Sequence, residues 1–242
     1  MASHRSEMVS QLLFGESYRV IQASDEWVEI TTDFDHYHGF IAANQHEELS
    51  EKAYADAVNS QIFITPTTLH IYDEKHGCRL TLAPASTLRL NVEGNIELGD
   101  SRFIPENPLK QTGLTDVLCA YEGTSYLWGG RTPWGIDCSG FTQAVFKTQG
   151  ISLPRDASQQ ALQGTPVTWE DSDWGDLAFF QNEKGNITHV GMVLSGHRIL
   201  HCSGRVRNDR LDIHGIYCEE RRLYTHRLHS IRHITQLKHN IK

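Results

Sequence analysis

The stretch Tyr126-Leu-Trp-Gly-Gly-Arg-Thr-Pro-Trp-Gly-Ile-Asp-Cys138-Ser-Gly140 decides the fold of the second half of this chain. Its glycines permit a tight loop, and apolar residues with helical spacing follow it directly. The pattern predicts a helix over residues 138–149 with Cys138 at its first turn. A helix N-terminus carries partial positive charge, so we expect it to lower the pKa of the Cys138 thiol and favour the nucleophilic thiolate.

Two histidines downstream lie in runs that are typical of β-strands. His189 is in Asn186-Ile-Thr-His-Val-Gly-Met-Val-Leu194, His201 follows twelve residues later, and Gly196 marks a hairpin turn between them. His189 could take the Cys138 proton and return it to a leaving amine. His201, on the neighbouring strand, could orient the first imidazole. An isolated His189 would suggest an ordinary strand histidine, but the set of three predicts a thiol hydrolase.

The composition excludes several classes of function. The chain has 242 residues and a net charge of −8, which argues against nucleic acid or an anionic membrane as partner. No apolar run approaches the roughly 20 residues that span a bilayer. The N-terminus has no apolar signal core, which favours the cytoplasm, whereas a trimmed signal peptide would allow export. We expect a monomer.

The cysteines and histidines give no metal motif. Five scattered cysteines without Cys-x-x-Cys spacing indicate free thiols in a reducing compartment. Of the fourteen histidines, four near the C-terminus could form a metal cluster or the polar face of a terminal segment, and we favour the polar face: His226, His229, His233 and His239. We therefore predict no metal and no cofactor.

The order of predicted elements indicates an α+β fold in three domains. Residues 8–43 and 62–103 each read as short strands between turns, which is typical of small barrels. The prolines of Pro105-Glu-Asn-Pro108 mark a boundary, and helices followed by strands come after it. The predicted domains are 1–45, 46–107 and 108–242. The predicted later helices are 114–121, 138–149 and 156–163, and the strands are 176–180, 189–194, 199–202 and 223–228.

Several motifs together resemble the NlpC/P60 family of cell-wall cysteine peptidases. They are Gly123-Thr-Ser-Tyr-Leu-Trp-Gly-Gly130, Gly135-Ile-Asp-Cys-Ser-Gly-Phe141, Leu153-Pro-Arg-Asp156, Gly175-Asp-Leu177 and Thr188-His-Val-Gly-Met192. The N-terminal segments around Ser6–Glu16 and Trp27–Ile30 resemble the bacterial SH3-like modules of one branch of that family. The resemblance implies a papain-like NlpC-type catalytic domain preceded by two small all-β SH3-like barrels.

The resemblance also implies catalytic roles. It makes Cys138 the nucleophile, His189 the base and His201 the orienting third residue, with Tyr126 lining the site beside the cysteine. The branch with SH3-like modules cleaves the γ-D-glutamyl bond to a diamino acid in murein stem peptides that carry a free N-terminal L-alanine. The implied partner is a murein peptide such as L-Ala-γ-D-Glu-diaminopimelate.

Further residues are candidates for binding this substrate. Asp156 matches the acid that contacts the free amine in this branch, and a carboxylate facing an ammonium would reject a blocked N-terminus. Glu7 and Tyr37 of the first SH3-like unit are candidates for completing the amine pocket. Asp137 and Ser139 flank the nucleophile; Asp137 could cap the helix or touch substrate, and the sequence does not separate these roles.

Two other functions compete with a peptidase for soluble murein peptides. One is a lytic hydrolase that cuts polymeric peptidoglycan while its SH3-like units anchor it to the wall. The other is a binding module in which the cysteine site is vestigial. The complete set of Cys138, His189 and His201 favours an active enzyme.

Overall fold

The computed structural model of this chain describes residues 2–234. The chain forms two compact units that divide between Ala120 and Tyr121. The three domains predicted from the sequence stay a prediction. No helix in the described range is long and apolar enough to cross a bilayer.

The first unit begins with a three-stranded antiparallel sheet. Its strands follow one another in the order β1 (Tyr18–Ala23), β2 (Trp27–Thr32) and β3 (His38–Ala42). Alternation along β2 buries Val28 and Ile30.

Residues 9–14 fall within the range 8–43 that was predicted to form short strands, and for these six residues the prediction is wrong. Their polar groups bond outside any ladder: the N–H of Leu13 donates to the Glu16 carboxylate, and the carbonyl of Phe14 accepts from Thr87. The segment is anchored instead by packing, since the Phe14 ring lies edge-on to Phe103.

A helix and a second sheet complete the first unit. Helix α1 (Glu51–Asn59) begins after Ser50, whose side chain accepts a capping hydrogen bond from Ala53 N–H. The sheet has six antiparallel strands in the order β4-β7-β8-β9-β5-β6. Ile71, Leu88 and Ile96 are among the buried residues of the apolar core of this sheet. The strands are β4 (Gln61–Ile64), β5 (Leu69–Asp73), β6 (Cys78–Leu82), β7 (Thr87–Leu90), β8 (Ile96–Leu98) and β9 (Ser101–Pro105).

The second unit combines short helices with a larger sheet. Helix α2 (Leu114–Tyr121) leads into it, and the small hairpin of β10 (Arg131–Thr132) and β11 (Gly135–Ile136) precedes helices α3 (Cys138–Thr148) and α4 (Ala157–Gln160). The later strands are β12 (Thr165–Val167), β13 (Leu177–Gln181), β14 (Ile187–Leu194), β15 (Arg198–Ser203), β16 (Arg205–Asp212), β17 (Gly215–Cys218) and β18 (Leu223–His233).

The large sheet closes on itself because β18 pairs with β13 on one side and β17 on the other. Six antiparallel strands therefore form a barrel, and β12 adds to one part of β18. Phe180, Ile199 and Leu211 are among the residues of its core. The sequence predicted the positions of β13, β14, β15 and the first part of β18; it missed β12, β16 and β17.

Helix α3 packs against β14 and β15. Its apolar residues Phe141, Val145 and Phe146 are fully buried. This packing brings the helix start at Cys138 to the two strands that carry His189 and His201.

Candidate active site

The start of α3 is fixed by one buried carboxylate. One oxygen of Asp137, Oδ1, accepts from the backbone N–H of Gly140 at 2.7 Å, and the other, Oδ2, accepts from Gly129 at 2.8 Å. Asp137 therefore caps α3 and ties the glycine loop to it. Of the two roles that the sequence left open for Asp137, the structure has the capping role, and contact with substrate stays a prediction.

Arg155 completes this arrangement. Its Nη2 lies 2.6 Å from Asp137 Oδ2, and its Nη1 donates to Asp137 Oδ1 at 3.0 Å and to Ser139 Oγ at 2.9 Å. The Arg155 and Asp137 side chains are only 1% and 6% exposed. Two parallel N–H···O contacts between buried charges fix direction as well as position. The hydroxyl of Ser139 is engaged within this network, and its contact with substrate stays a prediction.

Glycine is required where the loop meets the helix. A Cβ on Gly140 would lie 2.3 Å from the carbonyl oxygen of Gly130, and a Cβ on Gly130 would lie 2.4 Å from that of Gly135. Backbone atoms cannot yield as a flexible side chain can. The glycines of the motif therefore bring the loop close enough to hold the nucleophile.

The acidity of Cys138 differs from the expectation for a helix N-terminus. Burial and the neighbouring Asp137 carboxylate raise the pKa of the Cys138 thiol to about 11. The N–H groups of Val190 and Ser139 and the charge of Arg155 oppose this rise without cancelling it. The predicted lowering of the pKa is therefore wrong for the resting site, where Cys138 is a thiol at neutral pH.

His189 and His201 form a direct pair on adjacent strands. His189 Nε2 and His201 Nδ1 are 2.8 Å apart, and both residues are buried. In the ladder, Gly191 lies opposite His201, and a Cβ at Gly191 would come within 2.7 Å of the His201 Cβ. Glycine in the His-Val-Gly motif thus makes room for the second imidazole. Since His189 uses Nε2 for this bond, Nδ1 is the nitrogen that the bond leaves for another partner.

Burial keeps both imidazoles neutral. It lowers the pKa of His189 well below the ordinary value of 6.5, and the charges that His226 and His201 would carry lower it further. Burial also lowers the pKa of His201, although Asp209 partly opposes the effect. A neutral His189 beside a protonated Cys138 can act as a general base.

Asp209 extends the pair, and the sequence reasoning missed it. His201 Nε2 is 3.1 Å from Asp209 Oδ2, and Asp209 is 4% exposed. Burial raises the pKa of Asp209, but hydrogen bonds with His201 and Arg207 overcome this effect and leave the pKa below its usual value. Asp209 lies on β16, which was not predicted, so no signal placed it near His201.

His226 also joins the two predicted catalytic histidines. Its ring stacks on that of His189 with centroids 4.1 Å apart and planes 22° apart. Burial lowers the pKa of His226 to about 4. His229 and His233 instead bond to Ser230 and Asp176, and His239 lies outside the described residues.

Nitrogens of His189, His201 and His226 lie within 4.8 Å of one another, which is near enough to consider a metal ion. However, an imidazole binds a metal through a lone pair in the plane of its ring. The near-parallel rings of His189 and His226 do not direct such lone pairs at one point. His189 and His201 are also bonded to each other. The cluster therefore suits proton transfer better than metal binding.

The other predicted residues fall in two places. Tyr126 is 37% exposed beside the nucleophile, and burial followed by the charges of Cys138 and Asp137 raises its pKa to about 12. Asp156 immediately precedes α4 in the second unit and is half-buried. Glu7 and Tyr37 line one cavity of about 510 Å³ within the first unit. Their roles toward substrate stay predictions.

Two family models match the chain. The NlpC/P60 family matches residues 123–227, which contain the described site, and the bacterial dipeptidyl-peptidase SH3 domain matches residues 2–45.

Similar proteins and structures agree with these matches. The γ-D-glutamyl-L-lysine dipeptidyl-peptidase of Bacillus subtilis is 31% identical over 214 residues, which cover 79% of this chain and 71% of that protein. A protein of the same name from Bacillus cereus is 26% identical, with 82% of this chain and 68% of that protein covered. The crystal structure of an NlpC/P60 family protein from Bacillus cereus has the same fold, with a TM-score of 0.77 at 24% identity over 93% of this chain and 81% of that chain.

Proposed function

Because this chain belongs to the NlpC/P60 family of cysteine peptidases, as its motifs predicted, we propose that it hydrolyses the γ-D-glutamyl-L-diamino acid bond of peptidoglycan peptides. The observation that carries the proposal is the placement of Cys138 at the start of α3, packed against the strands of the His189–His201 pair. The bond is the one in the name of the Bacillus relatives, γ-D-glutamyl-L-lysine dipeptidyl-peptidase.

The reaction proceeds through a thioester. Cys138 Sγ attacks the γ-carbonyl carbon of D-glutamate while its proton moves to His189 Nδ1. His189 then gives this proton to the leaving α-amine of the diamino acid as the C–N bond breaks. Water enters, loses a proton to His189 and attacks the thioester, which releases the γ-carboxylate and returns the proton to Cys138.

We further propose that the substrate carries a free N-terminal L-alanine. Asp156 of the second unit is the first candidate for binding the ammonium group, and Glu7 and Tyr37 of the first unit are further candidates. A carboxylate in a cleft favours a cation over a neutral acetamide, because only the cation repays its desolvation. A peptidase limited in this way acts on released stem peptides, which fits recycling of wall peptides by a monomer in the cytoplasm.

We propose that the first unit takes part in substrate selection. Its first sheet coincides with the SH3-domain match at residues 2–45. The second sheet, with six antiparallel strands around its own apolar core, is proposed as another SH3-like barrel. If these barrels served as anchors to polymeric wall instead, the protein would lyse purified sacculi.

The experiment is mass spectrometry of products after incubation with L-Ala-γ-D-Glu-L-Lys and with the diaminopimelate peptide. We expect L-Ala-D-Glu and the free diamino acid. Cys138→Ala should abolish cleavage, and the matched control Cys119→Ala, which alters an exposed cysteine on α2, should not change it. Cleavage by the Cys138 variant would refute the proposal.

The N-acetylated form of each peptide tests the amine requirement separately. Cleavage of the free peptide alone supports recognition of the ammonium group. Equal cleavage of both forms would remove that part of the proposal and leave the peptidase. Lysis of sacculi without cleavage of either peptide would favour the wall-anchored hydrolase.

A further inference from the structure

Three buried side chains, His189, His201 and Asp209, form a hydrogen-bonded series that leads away from the nucleophile. His189 Nε2 is 2.8 Å from His201 Nδ1, and His201 Nε2 is 3.1 Å from Asp209 Oδ2. His201 is 0% exposed and Asp209 4% exposed, so water does not compete readily for these bonds. Of these three side chains, Asp209 alone is an anion, and a carboxylate can only accept a hydrogen bond.

The Asp209 carboxylate determines which atom donates in each hydrogen bond of this series. Because Asp209 accepts, His201 must carry its proton on Nε2. A neutral imidazole has one N–H, so His201 Nδ1 is then an acceptor. His189 must therefore donate from Nε2, which leaves a lone pair on its Nδ1.

We propose that Asp209 is a positioning residue that sets the tautomers of both histidines and so leaves His189 Nδ1 free to take the Cys138 proton. This inference rests on the proposed function, since it assigns His189 as the base. Asp209 touches neither reacting atom in this scheme and acts through His201. With the opposite tautomers, His189 would present an N–H to the thiol and could not accept its proton.

Arg207 holds the carboxylate in the required orientation. Its Nη2 donates to Asp209 Oδ1 at 3.0 Å, and its Nε lies 2.8 Å from Oδ2. Its third nitrogen, Nη1, donates to Glu220 at 3.1 Å. The oxygen that meets His201 is therefore kept on the side of the histidines.

The variant Asp209→Asn tests this direction. In that variant the amide oxygen can keep the hydrogen bond from Arg207 Nη2, while the NH₂ group takes the place of Oδ2 and faces His201 Nε2 and Arg207 Nε. This would reverse the direction of donation along the series, so His201 would donate from Nδ1 and His189 would hold its proton on Nδ1. We expect kcat to fall by about a hundredfold or more with KM nearly unchanged; a wrong tautomer in a serine peptidase triad costs about 10⁴-fold.

Asp209→Ala is the informative second variant. It removes the same charge but imposes no direction, so we expect a smaller loss in kcat, of about tenfold. A merely structural carboxylate would make alanine at least as damaging as asparagine, because asparagine preserves shape. Glu220→Gln, which alters another partner of Arg207, should leave kcat unchanged.

Nitrogen-15 NMR of histidine-labelled protein reads the tautomers without any substrate. We expect N–H protons on Nε2 of His189 and His201 in the parent protein, and on Nδ1 of both in Asp209→Asn. A parent protein with the proton on His201 Nδ1, or an Asp209→Asn variant with full activity, would overturn the inference while leaving the peptidase intact. Expected tautomers in a protein that cleaves no peptide would instead count against the proposed function.

Discussion

Asp137 and Asp209 are both buried aspartates paired with an arginine, but they hold different things. Asp137 accepts from the backbone of Gly129 and Gly140, so it holds the loop and the helix start that carry the nucleophile. Asp209 accepts from an imidazole. The first aspartate fixes the position of the backbone, and the second fixes the position of a proton.

The arginine partners of the two aspartates differ in how far they are exposed to solvent. The Arg155 side chain is 1% exposed, whereas that of Arg207 is 17% exposed and also pairs with Glu220. Loss of Asp137 would therefore leave a charge deep in the protein, whereas loss of Asp209 would leave one that is partly exposed to solvent. We expect the Asp137 pair to matter mainly for folding and the Asp209 pair mainly for turnover.

The largest expected effect is that of Asp137→Ala on stability. It removes the cap of α3 and leaves the Arg155 guanidinium buried, so we expect a loss of about 3–5 kcal/mol in the free energy of unfolding. Asp209→Ala should cost less, about 1–3 kcal/mol, because it leaves the buried N–H of His201 without its acceptor while Arg207 is partly solvated and keeps Glu220. Urea unfolding of the second unit measures both.

The chain offers a clean signal for that measurement. Of the five tryptophans, only Trp27 lies in the first unit, so a Trp27→Phe background makes fluorescence report on the second unit alone. Equal losses from the two alanine variants would show that the two carboxylates contribute equally to the stability of the second unit.

The next effect concerns the reactivity of the nucleophile. Because burial and Asp137 raise the pKa of Cys138 to about 11, its alkylation by iodoacetamide should rise about tenfold per pH unit from pH 7 to 10. The acid limb of the enzyme's activity should lie well below pH 6.5, because burial lowers the pKa of His189 and the base gains its proton only there. Mass spectrometry of the Cys138 peptide follows the alkylation.

Asp137→Asn sharpens this measurement because it removes the charge but retains an oxygen that can accept a capping bond. In folded protein of this variant, Cys138 should be alkylated faster than in the parent at the same pH. A rate that is already constant above pH 7 in the parent would contradict the resting thiol and indicate a thiolate–imidazolium pair.

The half of the site around Cys138 could be predicted from sequence because it is local. The glycines, Asp137 and Cys138 are close in the chain, and the apolar spacing after them defines α3. The pKa of Cys138 could not be predicted in the same way. It depends on how deeply the helix start is buried, which the spacing of residues does not reveal.

The half around Asp209 depends on pairing between strands. Strand β16 has the sequence Arg205-Val-Arg-Asn-Asp-Arg-Leu-Asp212, whose buried positions do not alternate regularly and include the charged Asp209. His201 lies opposite Arg207 in the ladder, and this register brings Asp209 to the histidines. His226 was likewise hidden, since β18 reaches His189 only after the barrel closes.

The smallest expected effect is that of the stack on His189. The His226 ring covers one face of that imidazole, at a centroid distance of 4.1 Å. Burial lowers the pKa of His226 to about 4, so at pH 7 it is neutral and acts by contact rather than by charge. Aromatic pairs contribute about 0.5–1.5 kcal/mol, so His226→Ala should lower kcat about fivefold, while His226→Phe, which keeps the stack, should stay within about twofold of the parent. Steady-state kinetics at pH 7 compares them. Equal losses in both variants would mean that a ring nitrogen of His226 takes part, and the base would then be held by a proton on this side as well as by Asp209 on the other.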